Sequence, residues 1–173
     1  MNIDNISLVS YNDPILHTPC NKWDFMNPEF DLADFSEKLV AKMHESLGLG
    51  LAANQLGVPY KIFAMNAEPA LVVVNPKILE ASSEMVTLEE GCLSYPGLII
   101  KVSRPIWIKA RFNYPNGQAS THRFEGMTAR VFLHEYDHIE FGHTFIDQAN
   151  FFHKEKALKT WKLLQRKAHS HNA

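Results

Sequence analysis

The sequence predicts an α+β domain, with antiparallel β-sheets packed around a central buried helix and a further helix at each end of the chain. Two textures carry that expectation. Short β-branched and aromatic runs crowd the stretch 60–124, while helical periodicity marks the segments on either side of it. A third observation supplies the central helix: an almost wholly apolar lead-in runs into His134-Glu135-Tyr136-Asp137-His138.

Along the chain, Asn27, Pro28 and Glu29 read as a helix start, with a capping side chain, a proline at the first position and an early acid. Leu32, Phe35, Leu39, Met43 and Leu47 then recur every three or four residues as one apolar face, and Gly48 is expected to stop the helix. Strands are expected over 61–64, 71–74, 98–102 and 106–112. Tyr114-Pro115-Asn116-Gly117 reads as the turn into a further strand over 118–124. The buried helix follows over 126–141, with Met127, Val131, Phe132 and Leu133 making its first turns apolar. A last helix over 150–168 carries Ala157, Leu158, Trp161 and Leu164 on one face. With no repeat and no linker, residues 1–173 are expected to form one catalytic domain.

The composition, 46% hydrophobic and 21% charged, is that of a globular protein. A net charge of −2 gives no general electrostatic reason to bind DNA or an anionic membrane. No run approaches the ~20 apolar residues of a membrane span, and no signal-peptide core is seen. With only Cys20 and Cys92 there is no disulfide framework, so a reducing, cytoplasmic location is expected.

Histidines four apart on a helix lie nearly above one another, so His134 and His138 can reach one metal ion. Glu135 then stands beside that metal, placed to move protons on a bound water. His-Glu-x-x-His is the zinc-hydrolase pattern, although a solvated acidic helix end with incidental histidines would read the same way in isolation. A catalytic centre needs a third protein ligand. Downstream stand His143, Asp147, His153, His169 and His171, of which spacing leaves His143 open. Upstream, Glu90-Gly91-Cys92-Leu93-Ser94 sets a cysteine at the end of a strand-like segment. A thiolate suits zinc or iron(II), Gly91 lets backbone approach a substrate, and Leu93 offers its N–H beside the ligand. Taken alone, Cys92 reads more readily as a small core residue. The run Gly48-Leu49-Gly50-Leu51-Ala52-Ala53-Asn54-Gln55 permits tight chain approach and supplies the Gln55 amide, yet has neither a dinucleotide nor a phosphate-loop pattern. By itself it is a helix end and a tight turn.

Together the segments 48–55, 90–94 and 134–138 resemble peptide deformylase in order and spacing, with Asp13-Pro14-Ile15-Leu16 similar to that family's N-terminal pattern. The likeness spans about residues 10–148. It implies Cys92, His134 and His138 as ligands of an iron(II) ion, a site that zinc, nickel or cobalt can also fill. It implies Glu135 as general base and acid, and Gln55 with the Leu93 N–H as oxyanion donors. Gly48, Gly50, Glu90 and Gly91 would line the substrate site, and Arg104 would pair with Glu90. The implied substrates are N-formyl-methionyl nascent peptides, which release formate. The basic tail, with Lys154, Lys156, Lys159, Lys162, Arg166 and Lys167 against Glu155, implies contact with the ribosome or, more plainly, a solvated face.

Three departures from the family pattern stand out. Leu133 replaces a common glutamine. Arg130 occupies a usually apolar place near the methionine pocket, where it either shapes substrate preference or points outward. The run 139–145 is one residue longer. Two other readings share parts of the pattern. A metallopeptidase would need His134, Glu135 and His138 but neither Cys92 nor Gln55. A structural metal module would close the site with a fourth ligand such as His143.

Overall fold

Asp31 starts the first helix, α1 (Leu32–Glu45), by accepting hydrogen bonds from the backbone N–H groups of Ala33 and Asp34 at 2.9 and 3.2 Å. The expected start at Asn27 lies too early. Asn27 instead bonds Asp24 at 2.9 Å, and Phe30 packs on Trp23, which holds the chain outside the helix. Leu32, Phe35, Leu39 and Met43 are buried as the periodicity demands. The helix ends before Leu47, which adopts a left-handed φ of 55° and is 92% exposed rather than part of the apolar face. The stop therefore comes at Leu47, and the Gly48 N–H returns to Met43 O at 2.9 Å. This computed structural model describes Ile3 and residues 6–171, with side chains to residue 166 at the C-terminal end. The side chains of Lys167, His169 and His171 lie outside the described residues.

Seven strands follow: β1 (Gly50–Ala52), β2 (Ile62–Met65), β3 (Leu71–Ala81), β4 (Met85–Cys92), β5 (Tyr95–Pro105), β6 (Trp107–Asn113) and β7 (Ala119–Glu125). Five form an antiparallel sheet in the order β1-β2-β3-β6-β7, and β4-β5 form a separate antiparallel hairpin. β2 is buried at every position because it is covered twice. Ile62 and Ala64 pack with α1, and Phe63 and Met65 with the central helix α2 (Gly126–Glu140) on the other face.

β3 runs beyond its expected end because bulges absorb Asn75 and Pro76. Asn75 takes φ of 50° while its side chain brackets the Trp23 backbone, accepting from Trp23 N at 2.8 Å and donating to Trp23 O at 2.9 Å. β1, expected as a turn, is a short strand pairing Gly50 with Met65. Most of β4 carries no apolar alternation, and its ladder with β5 makes it a strand.

Helix α2 lays Ala129, Phe132 and Ile139 on the inner face of the large sheet, against Phe63, Ile108, Ala110 and Phe112. Its lead-in is not buried all round: Met127 is exposed, Val131 and Leu133 are half-buried, and the first two of these open onto a cleft. Helix α3 (Phe151–His171) covers β5, with Trp161 buried and donating to Pro96 O at 2.8 Å. Leu164, expected on that apolar face, is exposed.

Candidate metal centre and active site

Three elements deliver the site. Helix α2 brings His134 and His138 to the same side one turn apart, with ring centroids 5.2 Å apart. The end of β4 brings Cys92, where a register shift between Glu90 and Cys92 turns the thiol toward the helix. The 3-10 turn after β1 brings Gln55, whose carbonyl oxygen accepts from Ala52 N at 2.9 Å and is thereby fixed.

Ligand atoms of Cys92, His134 and His138 all lie within 4.8 Å of one another, and Cys92 Sγ is 3.3 Å from His138 Nε2. A tetrahedral ion bound at about 2.0–2.3 Å needs donors at about this separation. His134 Nδ1 is taken by Glu90 at 3.0 Å, which leaves Nε2 for a metal and fixes the ring. His143 is exposed, its ring tilted against Phe141, and stands outside this cluster, as do Asp147, paired with Lys154, and the exposed His153. Among the described residues the cluster therefore has three protein donors, with no fourth side chain closing it.

Electrostatics agree with a cation there. Burial opposes a charge on His134, yet Cys92 and Glu90 outweigh it and push its pKa up to about 10, so positive charge is favoured at this point. Burial, with help from His134 and Arg104, holds His138 well below the ordinary histidine range, in the neutral form that binds metals. The residues fit a soft or borderline divalent ion.

Glu135 is buried, and its Oε2 has no hydrogen-bond partner in the protein. Burial pushes its pKa up to about 7, against the lowering pull of His134 and Arg104. An unpartnered carboxyl poised near neutrality beside three metal donors suits proton transfer. Gln55 Nε2 lies 3.0 Å from Ser94 Oγ and 3.4 Å from Cys92 Sγ, so its amide faces the same point.

A cleft of about 420 Å³ opens over these groups, lined by Leu47, Gly48, Leu49, Gly50, Gln55, the 89–93 segment, Pro96, Gly97, Met127, Arg130, Val131, His134 and Glu135. Every expected site residue except His138 is on this wall, and His138 lies fully buried behind it. Gly50 is required by close approach: a Cβ there would come within 2.5 Å of Glu135 Oε1. One at Gly48 would lie 2.9 Å from the Leu93 side chain.

Glu90, expected on the substrate-binding wall, directs its carboxylate elsewhere. It accepts from Arg104 Nε and Nη2 at 2.6 and 3.0 Å, from Arg130 Nη1 at 2.5 Å, and from His134. Despite burial, the His134 and Arg104 hydrogen bonds hold its pKa down to about 2. The expected Arg104–Glu90 pair is thus present and buried, and Arg104 also reaches Asp137 at 2.9 Å. Arg130 does not point outward. Its place four residues before His134, on the same helical face, was the signal that sequence reading left unused.

The likeness to known proteins follows the same lines. A family model described as Polypeptide deformylase matches residues 6–155. Peptide deformylase of Aquifex aeolicus is 34% identical over 164 residues, covering 91% of this chain and 95% of that protein. That of Thermotoga neapolitana is 36% identical over 133 residues, covering 75% of this chain and 78% of the relative. A crystal structure of peptide deformylase from Plasmodium falciparum superposes with a TM-score of 0.84 at 31% identity, covering 96% of this chain and 99% of that one. With its three segments folded onto one cleft and a family match along most of its length, this chain belongs to the polypeptide deformylase family.

Proposed function

We propose that this chain removes the formyl group from the N-terminal formyl-methionine of nascent polypeptides, releasing formate and a free amine. The observation that carries the reading is the buried, unpartnered carboxyl of Glu135, facing the cleft beside the Cys92–His134–His138 donor set. A metal held by those three residues supplies Lewis acidity, which makes hydroxide available near neutral pH.

The protein's own groups do the rest. Glu135 accepts the proton that water loses as its oxygen adds to the formyl carbon. It returns that proton to the nitrogen as the C–N bond breaks, without which an amide does not expel its amine. The Gln55 amide, fixed by Ala52, and the Leu93 N–H donate to the carbonyl oxygen as it becomes negative; losing one such donor costs about 100- to 1,000-fold in turnover. Gly48, Gly50 and Gly91 keep the wall low enough for an extended peptide, and Glu90 acts through the His134 ring.

A thiolate with two imidazoles suits iron(II), which we take as the native ion, while zinc, nickel and cobalt fit the same donors. Metal analysis of protein purified without oxygen checks this. Residues 1–173 act as one catalytic domain. No helix among the described residues is long and apolar enough to cross a membrane. A nascent-chain substrate and two free cysteines support a cytoplasmic location.

Lys156, Lys159 and Arg166 share an exposed face of α3, on the side away from the buried Trp161, and dock against ribosomal RNA. Reversing their charges should weaken salt-sensitive ribosome association and leave peptide turnover intact; unchanged association rejects the docking.

The reading is tested by formate release from a formyl-Met tripeptide, with an acetyl-Met tripeptide beside it. Rapid release from the first alone supports it. No release from fully metal-loaded protein refutes it.

A further inference from the structure

Arg130, His134 and Asp137 stand at spacings of four and three on α2, so they form one stripe along the helix. All three are buried and face the β4–β5 hairpin. Beside the Cys92–His138 contact, the stripe makes polar contacts between two bodies that must meet accurately, because the hairpin carries Cys92 while α2 carries both histidines. The hairpin lies outside the five-stranded sheet and is held to it by backbone only at its base, where Ser82 N donates to Trp107 O at 2.9 Å and Ile106 N to Glu84 O at 3.1 Å, so at the Cys92 end side chains set its place relative to α2.

Arg130 reaches further across that junction than its neighbours. Its guanidinium donates to Glu90 Oε1 at 2.5 Å, to Val86 O on β4 at 2.6 Å and to Val102 O on β5 at 3.0 Å. One side chain thus ties the helix to both strands and to the carboxylate that orients His134. It also balances charge. Arg104 serves two buried carboxylates, Glu90 and Asp137, and Arg130 brings the second cation that the pair requires.

We propose that Arg130 is a positioning residue for the metal centre. It holds Glu90 where that carboxylate accepts from His134 Nδ1, and it clamps the hairpin bearing Cys92 against the helix bearing the histidines. The proposal rests on the metal-centre reading above. Groups that orient metal ligands are typically worth about 10- to 100-fold in metal affinity. A lysine at this position could meet Glu90 as a point charge but could not span three acceptors.

The test uses the full chain loaded with cobalt(II), read by its thiolate charge-transfer absorption and by loss of metal to a chelator, with melting of the metal-free protein alongside. Arg130→Leu should bind cobalt about 10- to 100-fold more weakly and alter the absorption band. Arg130→Lys should fall between it and the parent. Arg130→Leu that folds and holds cobalt as tightly as the parent, with an unaltered band, overturns the proposal. If the leucine variant does not fold, Arg130→Lys decides: weakened binding supports the clamp and parental binding overturns it. A parent that takes up no cobalt sinks the metal-centre reading and this inference with it, whereas a parent that binds while the variants match it sinks the inference alone.

Discussion

Glu135 Oε1 occupies the place where a side chain on Gly50 would begin, since a Cβ there would stand only 2.5 Å from it. The glycine of β1 therefore decides where the carboxyl of α2 can sit. Gly50→Ala should displace that carboxyl and lower kcat/KM on the order of 100-fold, the scale of an ångström-sized misplacement of a catalytic group. Steady-state kinetics with a formyl-Met peptide checks this, and parental kcat/KM would show that Glu135 has freedom the structure denies it.

Of the three proposed ligands, Cys92 comes from a different element than the other two. Cys92→Ser replaces a soft donor with a weakly donating hydroxyl, so metal affinity should fall by more than about 10-fold while the fold survives. Equilibrium dialysis against zinc measures it; equal affinity would remove Cys92 from the ligand set.

The raised pKa of Glu135 has a consequence for the metal-free protein. Burial lifts the group from its ordinary value to about 7, so folding favours its protonated form. The associated stability is full below the unfolded carboxyl pKa and is lost as pH rises through about 7. Glu135→Gln, neutral throughout, should therefore stabilise the metal-free protein at pH 8 by on the order of 3 kcal/mol and much less at pH 4. Urea unfolding at the two pH values reads it; an equal effect at both would contradict the assignment.

Leu47 holds a left-handed backbone at the rim of the cleft with its side chain almost fully exposed. A non-glycine residue there costs about 1–2 kcal/mol, partly offset by the extra freedom glycine has when unfolded. Leu47→Gly should raise stability by up to about 1 kcal/mol, seen as a higher Tm.

The two helical histidines were legible because metal ligation imposes its own spacing on a short stretch, whereas the cysteine turn and the glycine-rich run became legible only together, through their resemblance to one family. Helix α1 was legible as well, since its apolar residues recur at a helical period, while α2 was read from its apolar lead-in and the histidine motif. Legibility failed where a distant partner fixes the conformation. Most of β4 lacks alternation and is a strand because β5 pairs with it, β1 because β2 does, and α1 starts at Asp31 because Trp23 and Phe30 hold the preceding chain. Arg130 was ambiguous for the same reason: nothing local says that two strand carbonyls and Glu90 await it across the junction.

The most direct test of the account is Glu135→Gln, assayed for both bound metal and turnover of a formyl-Met peptide. Metal content at the parental level with turnover reduced by at least about 100-fold is the predicted result, since the donor set stays whole while the proton carrier is gone. Parental turnover at full metal content would contradict it and leave the buried carboxyl without a catalytic role.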